Sequence, residues 1–165
     1  SRLLDACCQE DEKLEAPSEK KESRIPVDLR ASADGTTLAL SNLQLQTVDL
    51  YENALPLSLQ FSESLHTLDL SRNRLETLPV EFCRLKAVKS LDVSRNSLRG
   101  LPTEIGQLQN LVTLVAISNH FRLRLLPLEQ LASLPALEVL DLRHNGKLLK
   151  QNARQQLDSI PCHYI

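Results

Sequence analysis

Leucines recur at fixed intervals through most of the chain, and this pattern is the main structural signal in the sequence. Five stretches fit the template L-x-x-L-x-L-x-x-N-x-L, with valine, alanine or phenylalanine in place of some leucines. They are LQTVDLYENAL (45–55), LHTLDLSRNRL (65–75), VKSLDVSRNSL (88–98), LVTLVAISNHF (111–121) and LEVLDLRHNGK (137–147), whose last position is Lys147. Their starts lie 20, 23, 23 and 26 residues apart. This period indicates a solenoid in which each repeat forms one coil.

The alternation of apolar and polar residues within each repeat predicts a short strand. Leu68 and Leu70 point to one side, whereas Thr67, Asp69 and Ser71 point to the other. We expect the strands to stack in parallel into one sheet with its polar side chains outward. An asparagine ends each strand, where a buried amide can satisfy backbone groups that the turn leaves unpaired. These asparagines are Asn53, Asn73, Asn96, Asn119 and Asn145.

The rest of each repeat predicts a short helical turn on the opposite, convex side. LPVEFCRLKA (78–87) places Phe82 and Leu85 inward at helical spacing, and LPTEIGQLQN repeats the arrangement with Ile105 and Leu108. The fourth repeat has three extra residues in RLRLLPLEQLASLP, so its convex side is expected to bulge.

A solenoid exposes its core at both ends and needs caps. The stretch LLKQNARQQLDSI predicts a closing helix, with an apolar face formed by Leu149, Ala153, Leu157 and Ile160. At the other end, alternation in 25–29, the turn ASADG and alternation in TTLAL predict either a capping hairpin or a degenerate first coil. Residues 1–24 are interpreted as a charged N-terminal segment, a short helix followed by a linker, and 25–165 as the repeat domain with its caps.

These repeats resemble the leucine-rich-repeat family. The Leu-Pro pairs at 78–79, 101–102 and 126–127 look like its intracellular 23-residue subgroup, which includes plant Ras-group-related and SHOC-type scaffold repeats. The resemblance covers about residues 36–160. It implies an α/β solenoid of about five coils with a parallel concave sheet, and a role in protein interaction as a scaffold or adaptor.

Composition argues against most other classes of function. The net charge of −2 gives no indication of a nucleic-acid or anionic-membrane partner. The four glycines form no phosphate-binding loop, and the four histidines lack metal-ligand spacing. We therefore expect no catalysis, no cofactor and no metal.

The cysteines and the absence of methionine lead to two expectations, one about the cellular compartment and one about the parent protein. Cys7, Cys8, Cys83 and Cys162 form no Cys-x-x-Cys pair, which favours a reducing compartment. The cytoplasm is the expected location, with the nucleus as the alternative. Because the sequence contains no methionine, we expect it to be a piece of a longer protein.

The outward side chains of the strands form the predicted partner-binding face. The expected apolar focus combines Tyr51 with Val115 and Ile117, since exposed apolar side chains on a polar sheet tend to mark contacts. A charged surround completes the face: Asp49, Asp69, Arg72, Asp92, Arg95, Asp141 and Arg143. Arg72 and Arg95 are candidate counter-charges for the successive aspartates.

Other interpretations stay open from the sequence. The aspartates can be a regular feature of such repeats, and the long fourth coil can fold over Val115 and Ile117. Instead of binding through its concave face, the domain can be an architectural subunit held by its ends or convex side. It can also be the recruitment arm of an enzyme, such as a ubiquitin ligase, whose catalytic part lies elsewhere. A monomer is expected, with self-association through the Val115–Ile117 patch as the alternative.

Overall fold

Short parallel strands, one per coil, form a single six-stranded sheet in sequence order. A computed structural model describes residues 34–46, 63–149, 153–158, 160–161 and 163–164. The strands are β1 Thr37–Ala39, β2 Thr67–Asp69, β3 Ser90–Asp92, β4 Thr113–Val115, β5 Val139–Asp141 and β6 His163–Tyr164. All neighbouring strands pair in parallel, which confirms the predicted solenoid and its parallel sheet.

The register of the sheet stacks the leucines of successive coils. Leu68, Leu91 and Leu114 are direct partners across β2, β3 and β4 and lie 23 residues apart. Leu38 and Leu140 extend this row at either end, and all five side chains are at most 1% exposed. The hydrophobic core is therefore a set of stacked rows, in which each coil buries its leucines against those of the next coil.

The same turn geometry recurs from coil to coil, and a buried asparagine holds the backbone of the turn in each of these coils. The Nδ2 group of Asn96 donates to the carbonyl oxygens of Leu70 at 3.0 Å and Val93 at 3.0 Å, and its Oδ1 accepts from the Leu75 N–H at 3.1 Å. Asn73 makes equivalent bonds one coil earlier, and Asn119 and Asn145 make them in the later coils. The asparagines thus satisfy backbone groups at the turns, as the sequence predicted, and they also join adjacent coils.

The residue before each turn asparagine has a left-handed backbone. The φ angles are 56° at Arg72, 53° at Arg95, 54° at Ser118 and 59° at His144, and Asn42, the equivalent residue of the first coil, has 57° although Leu43 follows it. In this conformation the Arg72 N–H donates to the Ser94 carbonyl at 2.9 Å, and the Arg95 N–H to the Ile117 carbonyl at 2.8 Å. The ladder between coils therefore continues past the end of each strand.

The convex side consists of the helical turns that the sequence predicted. The 3-10 helices Val80–Arg84 and Thr103–Gln107 bury Phe82 and Ile105, and each ends at a buried leucine, Leu85 or Leu108. In the fourth coil a 3-10 helix, Leu123–Leu125, is followed by the α-helix α1, Leu128–Ala132. The extra residues of this coil therefore enlarge its convex side, as expected.

The first coil differs from the sequence interpretation. The prediction assigned 45–55 to the repeat before β2, but β1 pairs directly with β2, so Thr37–Ala39 occupies that place. The physical reason is the asparagine ladder: Asn73 bonds the Leu40 carbonyl and the N–H groups of Leu43 and Leu45. TTLAL is therefore the strand of a first coil. The other arm of the predicted hairpin, 25–29, lies outside the described residues, as do residues 1–24 and 47–55.

The C-terminal end is helical, as predicted. Its described residues contain two helical segments, α2 Gly146–Leu149 and α3 Ala153–Leu157, and residues 150–152 lie outside the described residues. Leu148 is buried in the first helix, which starts directly at the turn of the fifth coil because the Leu148 N–H donates to the Asn145 carbonyl at 2.9 Å. Leu157 and Ile160 are buried as expected, whereas the side chains of Leu149 and Ala153 lie outside the described residues.

The segment containing His163 forms a strand that the sequence analysis did not predict. His163–Tyr164 pairs with β5 as β6. A strand here provides partners for backbone groups of β5 that would otherwise form an open sheet edge.

Candidate functional site

The concave face, defined as the outward side chains of the strands and of the turns that follow them, is ordered into columns by the sheet register. One column contains Ala39, Asp69, Asp92, Val115 and Asp141. Neighbouring members of a column are about 4.8 Å apart along the sheet. Ala39 occupies the place beside Asp69 that was predicted for Asp49, so two consecutive aspartates, not three, lie side by side. Asp49 and Tyr51 lie outside the described residues.

The aspartates of this column bond the backbone of their own turns. The Oδ1 atom of Asp69 accepts the Ser71 N–H at 2.8 Å, and that of Asp92 accepts the Ser94 N–H at 2.8 Å. Within the described residues, neither carboxylate forms an ion pair with Arg72 or Arg95, so the suggestion that these arginines offset the aspartate charges stays a prediction. The repeated aspartate therefore has a local structural purpose: it satisfies a backbone N–H where the strand ends.

Asp141 is the one aspartate of the column with a charged partner. Its carboxylate accepts bonds from Arg143, with distances of 2.6 Å from Nη2 to Oδ2 and 3.0 Å from Nε to Oδ1. It also accepts the Arg143 backbone N–H at 3.1 Å. Burial acts to raise the pKa of Asp141, but the hydrogen bonds and charge of Arg143 outweigh it and hold the pKa below the ordinary value of 3.8.

Val115 and Ile117 form an apolar patch in this polar face. Both side chains are half-buried, and Val115 lies directly between Asp92 and Asp141. Part of the long fourth coil packs against the preceding coil: a Cβ atom built at Gly100 would lie 2.4 Å from the Leu125 carbonyl oxygen, and one at Gly106 would lie 3.3 Å from the Cβ of Gln130.

Basic side chains are concentrated in the segments that follow the strands, and we call this set the basic rim. Its members are Arg72, Arg74, Arg95, Arg99, Arg122, Arg124, Arg143 and Lys147. One of its members, Arg124, lies in the 3-10 helix Leu123–Leu125, and another, Lys147, lies in α2. Arg122 is half-buried and the other seven are exposed. The rim belongs to the segments 71–77, 94–100, 117–124 and 143–149, in which Glu76 is the sole acidic residue.

Sequence reasoning named three of these rim residues and missed the other five. Arg74, Arg99, Arg122, Arg124 and Lys147 lie beyond the strands and were not among the predicted partner contacts. A count of charge in each turn segment would have found them, since those segments hold eight basic side chains and one acidic one.

Two further observations limit the chemistry of the described region. In residues 34–46, 63–149 and the short C-terminal stretches, no three His, Cys, Asp or Glu side chains are grouped as metal ligands. Of the helices in the same part of the chain, none has the length and apolar character needed to cross a membrane.

The stacked coils, the asparagine ladder and the convex turns define a leucine-rich-repeat solenoid, a class of fold whose extended concave surfaces generally bind proteins. Residues 63–121 match the family described as leucine rich repeat. No curated protein sequence matches the chain.

Two solved structures have a similar fold. A leucine-rich-repeat protein of Leptospira interrogans is 29% identical, with a TM-score of 0.63 over 86% of this chain. Internalin C2 of Listeria monocytogenes is 24% identical, with a TM-score of 0.54 over 79% of this chain. The matched region is 34% of the first protein and 51% of the second, so the chain spans a third to a half of their lengths.

Proposed function

We propose that this protein is a non-catalytic interaction module that binds a protein partner through its concave face. One observation carries the proposal: Val115 and Ile117 are half-exposed branched side chains in columns that are otherwise polar or small. Apolar side chains on a polar surface tend to mark contacts, because burying them against a partner removes apolar area from water.

The charged residues around the patch would contribute specificity. In Asp69 and Asp92 one carboxylate oxygen holds the turn, and within the described residues the Oδ2 atom has no protein partner. Arg72 and Arg95 are exposed. Asp141 and Arg143 are already paired, so they would present a fixed, bonded surface. Tyr51 and Asp49 remain proposed contacts.

The proposed setting is the cytoplasm, with the nucleus as the alternative, and the proposed subgroup is the intracellular 23-residue one. The spacing of Leu68, Leu91 and Leu114 and the Leu-Pro pair that follows each of the β2 and β3 turns support the subgroup. The free, buried thiol of Cys83 fits a reducing compartment.

Affinity capture from cytosolic extract tests the proposed face. Wild type is compared with Val115→Asp plus Ile117→Asp, after circular dichroism and melting have shown that the variant folds. The matched control is Val80→Asp plus Leu125→Asp, since these side chains are 39% and 44% exposed outside the concave face. A partner lost by the first variant and retained by the control supports the proposal. A partner that both variants retain contradicts it.

One observation favours a second candidate, an architectural subunit held by its convex side. Val80 and Leu125 are the large apolar side chains most exposed in the described residues, and both belong to convex 3-10 helices. Loss of the partner in the Val80–Leu125 control variant alone would support this alternative.

A further inference from the structure

We propose that the basic rim binds a run of acidic side chains in the same partner. This inference rests on the proposed function and specifies its ligand: a peptide segment with an apolar anchor for Val115 and Ile117, continued by aspartates or glutamates. The partner is thus defined by two chemistries that must lie a short distance apart in one chain.

The charge of the protein is separated between two regions. Eight of the eleven Lys and Arg residues in 63–149 lie on the rim, with one of the nine Asp and Glu residues. The rest of the same range holds three basic and eight acidic residues. The chain has a net charge of −2, but the rim segments hold eight basic side chains and one acidic one, and only Arg143 among the eight is bonded to a buried carboxylate, that of Asp141. Such a local concentration of positive charge attracts and orients an anionic partner even though the net charge of the chain is negative.

The rim arginines have little internal compensation. Arg72 and Arg95 are equivalent residues on adjacent coils, and their backbones are joined by the continuing ladder. The two positive charges on adjacent coils repel each other, and an anionic ligand bound between them would reduce this repulsion. Arg99 approaches Glu76 at 3.7 Å, but both side chains are more than 60% exposed, so the pair is weak. The guanidinium groups of Arg72, Arg95 and Arg99 are therefore available to carboxylates, which such groups bind with paired hydrogen bonds, whereas that of Arg143 is already bonded to Asp141.

The rim is continuous with the apolar patch. The Ile117 carbonyl accepts the Arg95 N–H at 2.8 Å, so the patch and the first rim arginine lie on adjacent coils. Arg72 lies one coil further, about 10 Å from Ile117 at two strand spacings. An extended peptide covers that distance in about three residues. We therefore expect the acidic run to begin within about three residues of the anchor.

A peptide fits this surface better than a nucleic acid does. Single-stranded nucleic acids bind to basic grooves that also offer aromatic side chains for base stacking. The rim and the described columns of the concave face contain none, and Asp69 and Asp92 beside the rim would repel phosphates. A peptide can instead place apolar and acidic side chains at separate positions.

The structure also provides variants that remove rim charge without straining the turn. Arg72→Asn and Arg95→Asn place asparagine at a left-handed position, which this residue tolerates. Asn42 occupies the equivalent position of the first coil with a φ of 57°. Arg84→Asn plus Lys86→Asn is the matched control, because it removes two exposed positive charges from the convex side.

The test is selection of random displayed peptides on immobilised full-length chain, followed by affinity measurement of the selected peptides. We expect wild type to select an apolar residue followed closely by Asp or Glu. Arg72→Asn plus Arg95→Asn should weaken those peptides about tenfold, and salt should weaken them further. The Arg84–Lys86 control should bind as wild type does.

The other outcomes separate the two proposals. Selected peptides that need Val115 and Ile117 but carry no acidic residues would overturn the rim proposal and leave the proposed function standing. Peptides that bind independently of Val115 and Ile117, or no selected peptides, would overturn both. An oligonucleotide that binds the rim more tightly than the acidic peptides, in a parallel titration, would assign the rim to nucleic acid instead.

Discussion

The guanidinium of Arg143 and the carboxylate of Asp141 form a two-point contact, with Nη2 to Oδ2 at 2.6 Å and Nε to Oδ1 at 3.0 Å. Asp141 is 5% exposed, so its charge is held by this contact and by one backbone N–H. The pair stabilises the last full coil in a way that the earlier coils do not share, since Asp69 and Asp92 bond the backbone alone.

This contact predicts a dependence of stability on pH. Because the folded-state pKa of Asp141 is below 3.8, the stabilisation is complete above the unfolded pKa and is lost as pH falls through the lower folded-state pKa. The urea midpoint of wild type should therefore exceed that of Asp141→Asn near neutral pH. The difference should shrink below about pH 4. A constant difference across the range would contradict the assigned role.

Removing one turn asparagine should destabilise the solenoid strongly. Asn96→Ala leaves the Leu75 N–H without its side-chain partner and removes one of the two amide donors to the Leu70 carbonyl, since Asn73 Nδ2 also donates to it at 2.8 Å. Each buried polar group left unpaired costs about 1–3 kcal/mol in the free energy of unfolding. Urea unfolding measures the loss, and Asn110→Ala is the control, because exposed Asn110 makes one bond to the Lys86 carbonyl. Equal effects of the two substitutions would contradict the ladder.

Two glycines should respond in opposite directions to the same substitution. A Cβ atom at Gly100 would lie 2.4 Å from the Leu125 carbonyl oxygen and 2.7 Å from its Cβ, so Gly100→Ala must displace the fourth coil and should cost about 1–3 kcal/mol. A Cβ atom at Gly146 meets nothing within 4 Å. Gly146 lies in α2, so Gly146→Ala should leave stability unchanged or raise it. The melting temperatures of both variants, compared with that of wild type, test this prediction.

The Cys83 thiol should be unreactive in the folded protein. Burial raises its pKa from 9.0 to about 12, and the charges of Glu104 and Glu81 add to the effect. Since the thiolate is the reactive form, the folded protein should resist iodoacetamide at Cys83 at about pH 8. Peptide mass spectrometry can follow Cys83 separately from the other cysteines. Modification should appear once urea unfolds the chain, and rapid modification before unfolding would show that the coil opens locally.

The repeated apolar pattern determined most of the fold from sequence. Leu68, Leu91 and Leu114 occur 23 residues apart, and a strand buries alternate side chains, so a stacked parallel sheet was the arrangement that could bury them all. The convex turns with Phe82 and Ile105 followed from helical spacing. The regular position of the asparagines at the strand ends likewise allowed their role in bonding the turn backbone to be predicted from the sequence.

The ends of the solenoid could not be determined in this way. The stretch 45–55 fits the repeat template along its whole length, whereas the segment around TTLAL fits it only in part. Nevertheless, Asn73 bonds Leu40 and Leu45, which end the coil that TTLAL begins. A template compares residue types at fixed positions and does not include the hydrogen bonds that select one neighbour over another. The same limit applied to His163–Tyr164, where pairing with β5 decides the structure.

The sequence by itself determined a leucine-rich solenoid with a polar outer face, because the period and alternation of apolar residues follow from backbone geometry. The tertiary structure alone decided how the side chains of that face are bonded and placed. Within the described residues it bonds Asp69 and Asp92 to their own turns, leaves Arg72 and Arg95 without an ion pair, and places Arg95 on the coil next to Ile117. These relationships depend on the register between coils, which brings residues about 23 positions apart next to each other.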